Sequence, residues 1–234
     1  MHAFSWFSIV PYLKKFAEEG YLHVLNAALI TLVCIVVALF FNRKIKKMRN
    51  TEIPSTKFGL LNFLELISGM LLSLATEIMG EKNARKFFPV LASVFLFIFL
   101  NDVIGLIPGF LPPTDNINTT FACGIFIFIY YNYAGFREHG VSYMKHFMGP
   151  MIWLAPLMLP IELISNAVRP FSLGLRLFGN ITGDHLVLGI FSKLVPVIVP
   201  IPFLGLGLFV SFFQALIFVI LSMIYLTLAL SHEH

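Results

Sequence analysis

The chain has 234 residues, of which 58% are hydrophobic and only 12% are charged. In soluble domains about a quarter of all residues are charged. With its smaller share of charged residues, this chain cannot cover its surface with solvated side chains. The composition therefore predicts a membrane protein and excludes a soluble globular domain. The net charge of +4 does not indicate a nucleic-acid partner, because no basic patch accompanies a recognisable nucleic-acid-binding fold.

Long apolar stretches divide the chain into six predicted helices. A helix that crosses a membrane needs about 20 mostly apolar residues. On this basis we predict five spans, at residues 24–42, 87–108, 119–136, 151–192 and 203–230. Residues 58–79 are interrupted by Glu65 and Glu77, so we predict that this segment is an amphipathic helix lying along the membrane surface.

The last two spans are longer than a bilayer requires. Residues 203–230 alone would form a helix of about 42 Å, whereas the hydrocarbon core is about 30 Å thick. Such helices must tilt strongly, and the prolines between them, Pro196, Pro200 and Pro202, predict a turn. We therefore predict a single all-α membrane domain over residues 1–234, with five transmembrane helices, one interfacial helix, and the last two helices strongly tilted.

Two basic segments predict the orientation in the membrane. The cluster at residues 43–49 follows the first span, and a second basic loop covers residues 137–145. Basic loops favour the cytoplasmic side. With five spans, this places the N-terminus outside and the C-terminus in the cytoplasm, as expected for a multi-pass protein of a bacterial inner membrane.

Residues 151–192 carry most of the ionisable side chains that an apolar segment should exclude: Glu162, Arg169, Arg176, Asp184 and His185. A charge at the centre of a membrane helix costs about 2.5–3.5 kcal/mol on insertion scales. Glu162, Arg169 and Arg176 are spaced by seven residues, which returns each to nearly the same helix face, and Asn180 follows at i+4. Arg169 could reach the interface or pair with Glu162, whereas Arg176 lies too deep to reach the interface.

The string Ser-Leu-Gly-Leu-Arg-Leu-Phe-Gly-Asn at residues 172–180 resembles the signature of the ATP synthase subunit a family. Supporting strings occur in the same order as in that family. They are Leu-Asn-Asp-Val-Ile-Gly-Leu-Ile-Pro at 100–108, Thr-Asp-Asn-Ile-Asn-Thr-Thr at 114–120, Gln-Ala-Leu-Ile-Phe-Val-Ile-Leu-Ser-Met-Ile-Tyr-Leu at 214–226 and the terminal His-Glu-His at 232–234. Together the matches cover residues 85–234.

The resemblance implies a proton-channel subunit whose tilted helices pack against a rotating ring of c subunits. It assigns Arg176 as the fixed charge between two offset half-channels, Gln214 as the nearby glutamine of the last helix, Asn180 as the asparagine of the signature, and Glu162 to the inner half-channel. The implied partners are the c ring, the b subunits of the peripheral stalk, the rest of the F1Fo complex and the lipid bilayer. No cofactor, metal site or nucleotide-binding loop is predicted, so the chain is expected to be a non-catalytic subunit.

The outer half-channel departs from the common bacterial pattern. His185 stands where many bacterial members have Glu, and the usual ionisable partner on the last helix falls at Gly207. We provisionally assign Asn118, Asp184 and His185 to the outer path, with Asp184 as a possible compensating group. A hydrogen-bonded interfacial role for His185 is an equal alternative. A Na⁺-coupled member of the family and an unrelated secondary transporter are the other readings, although no inverted repeat supports the transporter.

Overall fold

The structure is a computed structural model and describes residues 22–48, 60–106, 112–140, 143, 155–194 and 200–231. Six α-helices occupy these ranges: α1 Leu22–Met48, α2 Leu60–Met79, α3 Glu81–Gly105, α4 Ile117–His139, α5 Ala155–Leu194 and α6 Pro200–Leu230. A 3-10 turn, Pro113–Asp115, lies between α3 and α4. No strand occurs among the described residues, which confirms the prediction of an all-α membrane fold.

Three described helical stretches have the length and composition needed to cross a membrane: Asn62–Met79 of α2, Glu81–Gly105 and Ile201–Leu230 of α6. A shorter apolar stretch, His23–Val36, lies in α1. α2 therefore could also cross the membrane, although its Glu residues suggested a surface helix. The surface position of α2 and the total of five spans stay predictions.

α2, α3 and α6 form an antiparallel group. Gly80 joins α2 to α3 with φ of 75°, a left-handed conformation that suits glycine because it has no Cβ. α6 runs back along this hairpin: the Thr227 hydroxyl is 3.5 Å from the Ile78 carbonyl oxygen, and the Phe212 ring packs edge-on against Phe95 at 5.8 Å between centroids. The apolar core lies between these helices and α4, because their buried side chains form one continuous cluster.

α4 and α5 approach each other closely because small residues lie between them. A Cβ added at Gly124 would be 2.5 Å from the Pro170 carbonyl oxygen, and one added at Gly174 would be 3.2 Å from the Phe121 backbone. Small residues allow membrane helices to pack backbone against backbone. This packing fixes one side of α5.

The 3-10 turn packs against four helices, α1, α3, α4 and α5. α4 begins directly after it, where the Asn116 side chain accepts a hydrogen bond from the Asn118 backbone N–H at 2.9 Å. Asn is a favourable N-cap because its side-chain oxygen satisfies an N–H group that has no partner in the helix. The turn is therefore held against α5 from several sides.

α5 is one continuous helix of 40 residues with Pro160 and Pro170 inside it, and its length is about 60 Å. α6 has 31 residues and a length of about 46 Å. Both long helices lie over the stretches predicted from the sequence. Arg49, Lys145, the connection that contains Pro196, the N-terminal 21 residues and residues 232–234 fall outside the described residues, so the orientation stays a prediction.

We predict that Gly124→Ala destabilises the packing of α4 on α5. The new methyl group meets a backbone oxygen that cannot turn away, and overpacking of this kind costs about 1–3 kcal/mol. The free energy of unfolding in mixed detergent micelles measures the effect. Gly69→Ala is the matched control, because nothing lies within 4 Å of a Cβ at that position. Equal stability of the two variants would contradict the close approach.

Candidate functional site

Arg176 lies on the side of α5 that faces away from the other described helices. Its side chain is exposed, whereas Leu173 and Leu177 on the opposite side of the helix are buried in the core. The residues around it on the exposed face are apolar or small, including Leu175 and Gly179. Among the described residues Arg176 has no ion pair. A fixed positive charge therefore stands alone on an apolar helix face.

Asn180 and Gln214 connect α5 to α6 next to this charge. The Asn180 side-chain N–H donates to Gln214 Oε1, one helical turn from Arg176. Gln214 is only 2% exposed, and its Nε2 has no hydrogen-bond partner among the described residues. The structure thus brings together three of the residues predicted from the sequence, with the amide pair fixing α6 beside the arginine.

Glu162 and Arg169 form an ion pair on the half of α5 that precedes Arg176. The Arg169 guanidinium lies 3.7 Å from Glu162 Oε1 and 5.3 Å from the centroid of the Tyr225 ring on α6. A cation above an aromatic face is attracted to the negative face of the ring. Of the two possibilities for Arg169, the structure shows the pairing with Glu162. Arg169 is therefore anchored within the chain, unlike Arg176.

A buried polar network that the sequence analysis missed lies beside this ion pair. Pro170 has no N–H, so the carbonyl of Asn166 lacks its helical partner. The Tyr131 hydroxyl lies 3.5 Å from that carbonyl oxygen and donates to the Asn166 side-chain oxygen. Asn132 Oδ1 accepts hydrogen bonds from Asn166 at 3.4 Å and from the Tyr143 hydroxyl at 3.1 Å. The available signal was Asn166 four residues before Pro170 in an otherwise apolar segment.

A second polar cluster lies at the other end of α5, against the 3-10 turn. His185 Nδ1 lies 3.8 Å from Asp115 Oδ2, and the Thr182 hydroxyl donates to Asp115 Oδ1 at 3.0 Å. The ring of His185 also reaches α3, because a Cβ added at Gly105 would lie 3.2 Å from Nε2. Asp115 was not among the predicted site residues, and only its place in the loop string 114–120 could have suggested it.

The facing imidazole of His185 lowers the pKa of Asp115 below its usual range, burial opposes the shift, and the Thr182 hydroxyl adds to the lowering. Hydrogen bonds and a nearby positive charge favour the ionised form of a carboxyl group. Asp115 therefore remains an anion to lower pH than an exposed aspartate.

Two other residues of the predicted outer path have different surroundings. Asn118 is exposed in the first turn of α4, and Asp184 is half-buried on α5 beside His185. Neither side chain makes a hydrogen bond or ion pair with His185 in the described part of the chain. The buried carboxylate nearby is Asp102, which accepts a hydrogen bond from Thr114 at 2.8 Å. Its position in the string 100–108 drew attention to the segment but not to this contact.

Within the described ranges, no group of three or more His, Cys, Asp or Glu side chains is arranged to hold a metal ion. The fold and the site instead define a helical membrane protein with ionisable groups aligned along one long helix. The chain belongs to a known family of such proteins, because the family model described as ATP synthase A chain matches residues 24–227.

Individual relatives agree with this assignment over nearly the whole chain. The ATP synthase subunit a of Bdellovibrio bacteriovorus is 44% identical over 233 residues, which are 99% of this chain and 100% of the relative. ATP synthase subunit a 1 of Syntrophotalea carbinolica is 45% identical over 223 residues, covering 95% of this chain and 92% of the relative. ATP synthase subunit a 1 of Pelobacter propionicus is 50% identical over 176 residues, or 75% and 76% of the two chains.

We predict that Tyr131→Phe destabilises the protein because it removes the only described donor to the Asn166 side-chain oxygen. Leaving a buried polar group without its partner costs about 1–2 kcal/mol in a helical membrane protein. Chemical unfolding in mixed micelles measures the loss. Tyr133→Phe makes the same change at an exposed ring, 61% exposed, and should leave stability unchanged. A neutral Tyr131→Phe would show that the network does not hold α4 to α5.

Proposed function

We propose that the chain is the proton-channel subunit in the membrane sector of an F-type ATP synthase. Membership of the ATP synthase A chain family supports the assignment to this complex. The observation that carries the finer proposal is Arg176 in the middle of α5, which is exposed and has no ion pair among the described residues. Its function is to act as a fixed charge opposite a partner carboxylate.

The physical reason is the cost of an uncompensated charge in lipid. A charged side chain at helix centre costs at least about 2.5–3.5 kcal/mol and is kept where it meets a partner or a pathway. Three other ionisable groups of α5 find partners inside the chain: Glu162 pairs with Arg169, and His185 pairs with Asp115. The counter-charge for Arg176 therefore comes from another subunit, and a carboxylate on a rotating c ring supplies it.

Arginine suits this role because it keeps its charge in a protein and cannot itself pass a proton along. Placed opposite a carboxylic acid of the ring, Arg176 favours the ionised form and drives off the proton. It also stands between two access paths and opposes a direct leak. Moving one charge through the membrane potential releases about 2.3 kcal/mol per 100 mV, and with two offset paths this energy is coupled to rotation of the ring.

The two access paths follow the two polar clusters of α5. Protons from outside enter by His185, with Asn118 and Asp184 as further residues near that entrance, and reach the ring beside Asn180 and Gln214. Protons leave toward the cytoplasm past Glu162. The paired imidazole supports H⁺ rather than Na⁺ as the transported ion, because a histidine can carry a proton near physiological pH.

The proposal includes the surroundings of the subunit. The exposed face of α5 around Arg176 packs against the c ring, the b subunits of the peripheral stalk contact other helices, and the assembly lies in a bacterial inner membrane with the N-terminus outside. Copurification with a ring of small hairpin subunits would separate this function from that of an independent transporter.

The central test is Arg176→Ala in inverted membrane vesicles that contain the whole complex. ATP-driven proton pumping should fall to background, because the ring carboxylate loses its fixed counter-charge, while assembly survives. Quenching of a pH-sensitive dye measures pumping. Arg85→Ala is the control, because this arginine is exposed and its ion pair within the described structure is with Glu81, one turn away. Normal coupled pumping by Arg176→Ala would overturn the proposal.

A second test concerns the inner path. Glu162→Gln should lower the rate of ATP-driven pumping several-fold, because the path loses its ionisable group. The double variant Glu162→Gln with Arg169→Ala removes both members of the ion pair and leaves no unmatched charge. Recovery of the normal rate in the double variant would show that Glu162 only neutralises Arg169 and would remove it from the path.

A further inference from the structure

The acidic partner of the outer histidine does not come from the last helix. Gly207, the position on α6 where the family resemblance suggested an ionisable group, is buried, and a Cβ there would lie 2.6 Å from the Leu106 side chain. Leu106 at the end of α3 therefore occupies the space that a side chain on α6 would need. α6 supplies no ionisable group to His185 at this level.

The 3-10 turn supplies a carboxylate in its place. Asp115 and His185 are 70 residues apart in the sequence, yet Asp115 Oδ2 lies 3.8 Å from His185 Nδ1. Both side chains are partly buried, at 29% and 26% exposed. The other oxygen of Asp115 accepts the Thr182 hydroxyl, one turn before His185 on the same helix. Two contacts from α5 thus fix the orientation of one carboxylate.

We propose that Asp115 is the positioning residue for the outer path, holding His185 Nδ1 so that Nε2 can take up and release the transported proton. This inference rests on the proposed function. In the transfer, the imidazole takes one proton from the outer aqueous side at Nε2, becomes an imidazolium, and gives one proton to the next acceptor toward Arg176. Asp115 neither gains nor loses a proton; its negative charge stabilises the imidazolium during the step.

The ionisation of Asp115 fits this role. His185 lowers the pKa of Asp115, so this carboxylate keeps its negative charge to lower pH than an exposed aspartate does. A group that serves as a permanent counter-charge has to titrate well below the group that it stabilises. Thr182 holds Asp115 by a hydrogen bond, and Asp115 in turn faces His185 at ion-pair distance, which gives a proton-carrying histidine a fixed counter-charge.

The other titratable groups on the surrounding elements are accounted for. α3 contributes Asp102, which is buried and bonded to Thr114. α5 contributes Asp184, which makes no hydrogen bond or ion pair with His185 among the described residues. α1 packs against the turn and carries His23 near its start, without a described contact to Asp115. Asp115 is thus the described carboxylate that faces the imidazole at ion-pair distance.

The test is a double-mutant cycle in vesicles that contain the intact complex, with ATP-driven proton pumping as the readout across a range of pH. Asp115→Asn should lower the rate of proton pumping about tenfold, since an opposite charge within ion-pair distance shifts the pKa of a titratable group by about one unit. It should also move the acid limb of the profile to lower pH, because protonation of the imidazole then has no counter-charge. Asp115→Glu should restore the rate to within about twofold of the parent.

The double-mutant cycle shows whether Asp115 and His185 act together in proton transfer or form only a structural contact. Combined with His185→Gln, Asp115→Asn should add no further loss, because the two residues act as one unit. Glu138→Gln, which removes an exposed carboxylate bound to Lys86, should leave the rate and the pH profile unchanged. Immunoblots of the purified complex confirm equal assembly of all variants.

Three outcomes would overturn the inference. They are a normal rate and pH profile for Asp115→Asn, losses that multiply in the double variant, or non-additivity with His185→Gln that appears for Asp184→Asn and not for Asp115→Asn. Each leaves the wider proposal standing as long as Arg176→Ala abolishes pumping. Normal pumping by Arg176→Ala would instead refute the proposed function itself.

Discussion

A guanidinium group lies at the middle of a 40-residue helix, on the side that faces away from the other described helices, and in lipid such a charge is costly unless another charge matches it. The architecture around Arg176 is consistent with this constraint. The opposite face of α5 is packed tightly on α4 through Gly124 and Gly174, and the Asn180–Gln214 bond fixes α6 at the same level. The helix can neither rotate nor withdraw the charge without breaking these contacts.

The other ionisable groups of α5 are arranged differently, and the contrast is informative. Before Arg176, Glu162 pairs with Arg169, and Arg169 lies over the Tyr225 ring. The hydrogen-bond network of Tyr131 lies beside this pair. After Arg176, Asp115 on the turn faces His185. Near both ends of α5, ionisable side chains therefore contact partners within the chain, and α4, α6 and the turn contribute to these contacts. Among the described residues, Glu162, Arg169 and His185 of this helix have such partners, whereas Arg176 has no ion pair.

Much of the fold followed from the sequence, because helices that cross lipid must be apolar over a known length. The long helices α5 and α6 and the shared face of Arg176 and Asn180 could be predicted from length and from 3.6 residues per turn. For α2 the signals point in different directions, since Glu65 and Glu77 favour a surface helix whereas Asn62–Met79 is apolar enough to cross, so its surface position stays a prediction.

The periodicity of the sequence could not predict contacts between distant segments. Nothing in the spacing of residues joins Asp115 to Thr182, which are 67 residues apart, because the contact depends on how the turn packs among four helices. The Tyr131–Asn166 bond likewise depends on a carbonyl left unpaired by Pro170 and on which face of α4 meets it. The sequence identified the helix that carries the chemistry, whereas the partners of its side chains required the packed structure.

The two polar clusters are held by different parts of the chain, and this separation has a mechanical consequence. The cluster around Glu162 and Arg169 depends on aromatic and amide side chains of α4 and α6, such as Tyr131 and Tyr225. The cluster around Asp115 and His185 depends on the turn, and the Leu106 side chain packs against Gly207 of α6. Under the proposed function, a change in one cluster therefore alters access from one side of the membrane while leaving the other side and the central charge in place. The two access paths of the proposed function are then held by separate elements of the described structure, with α5 common to both.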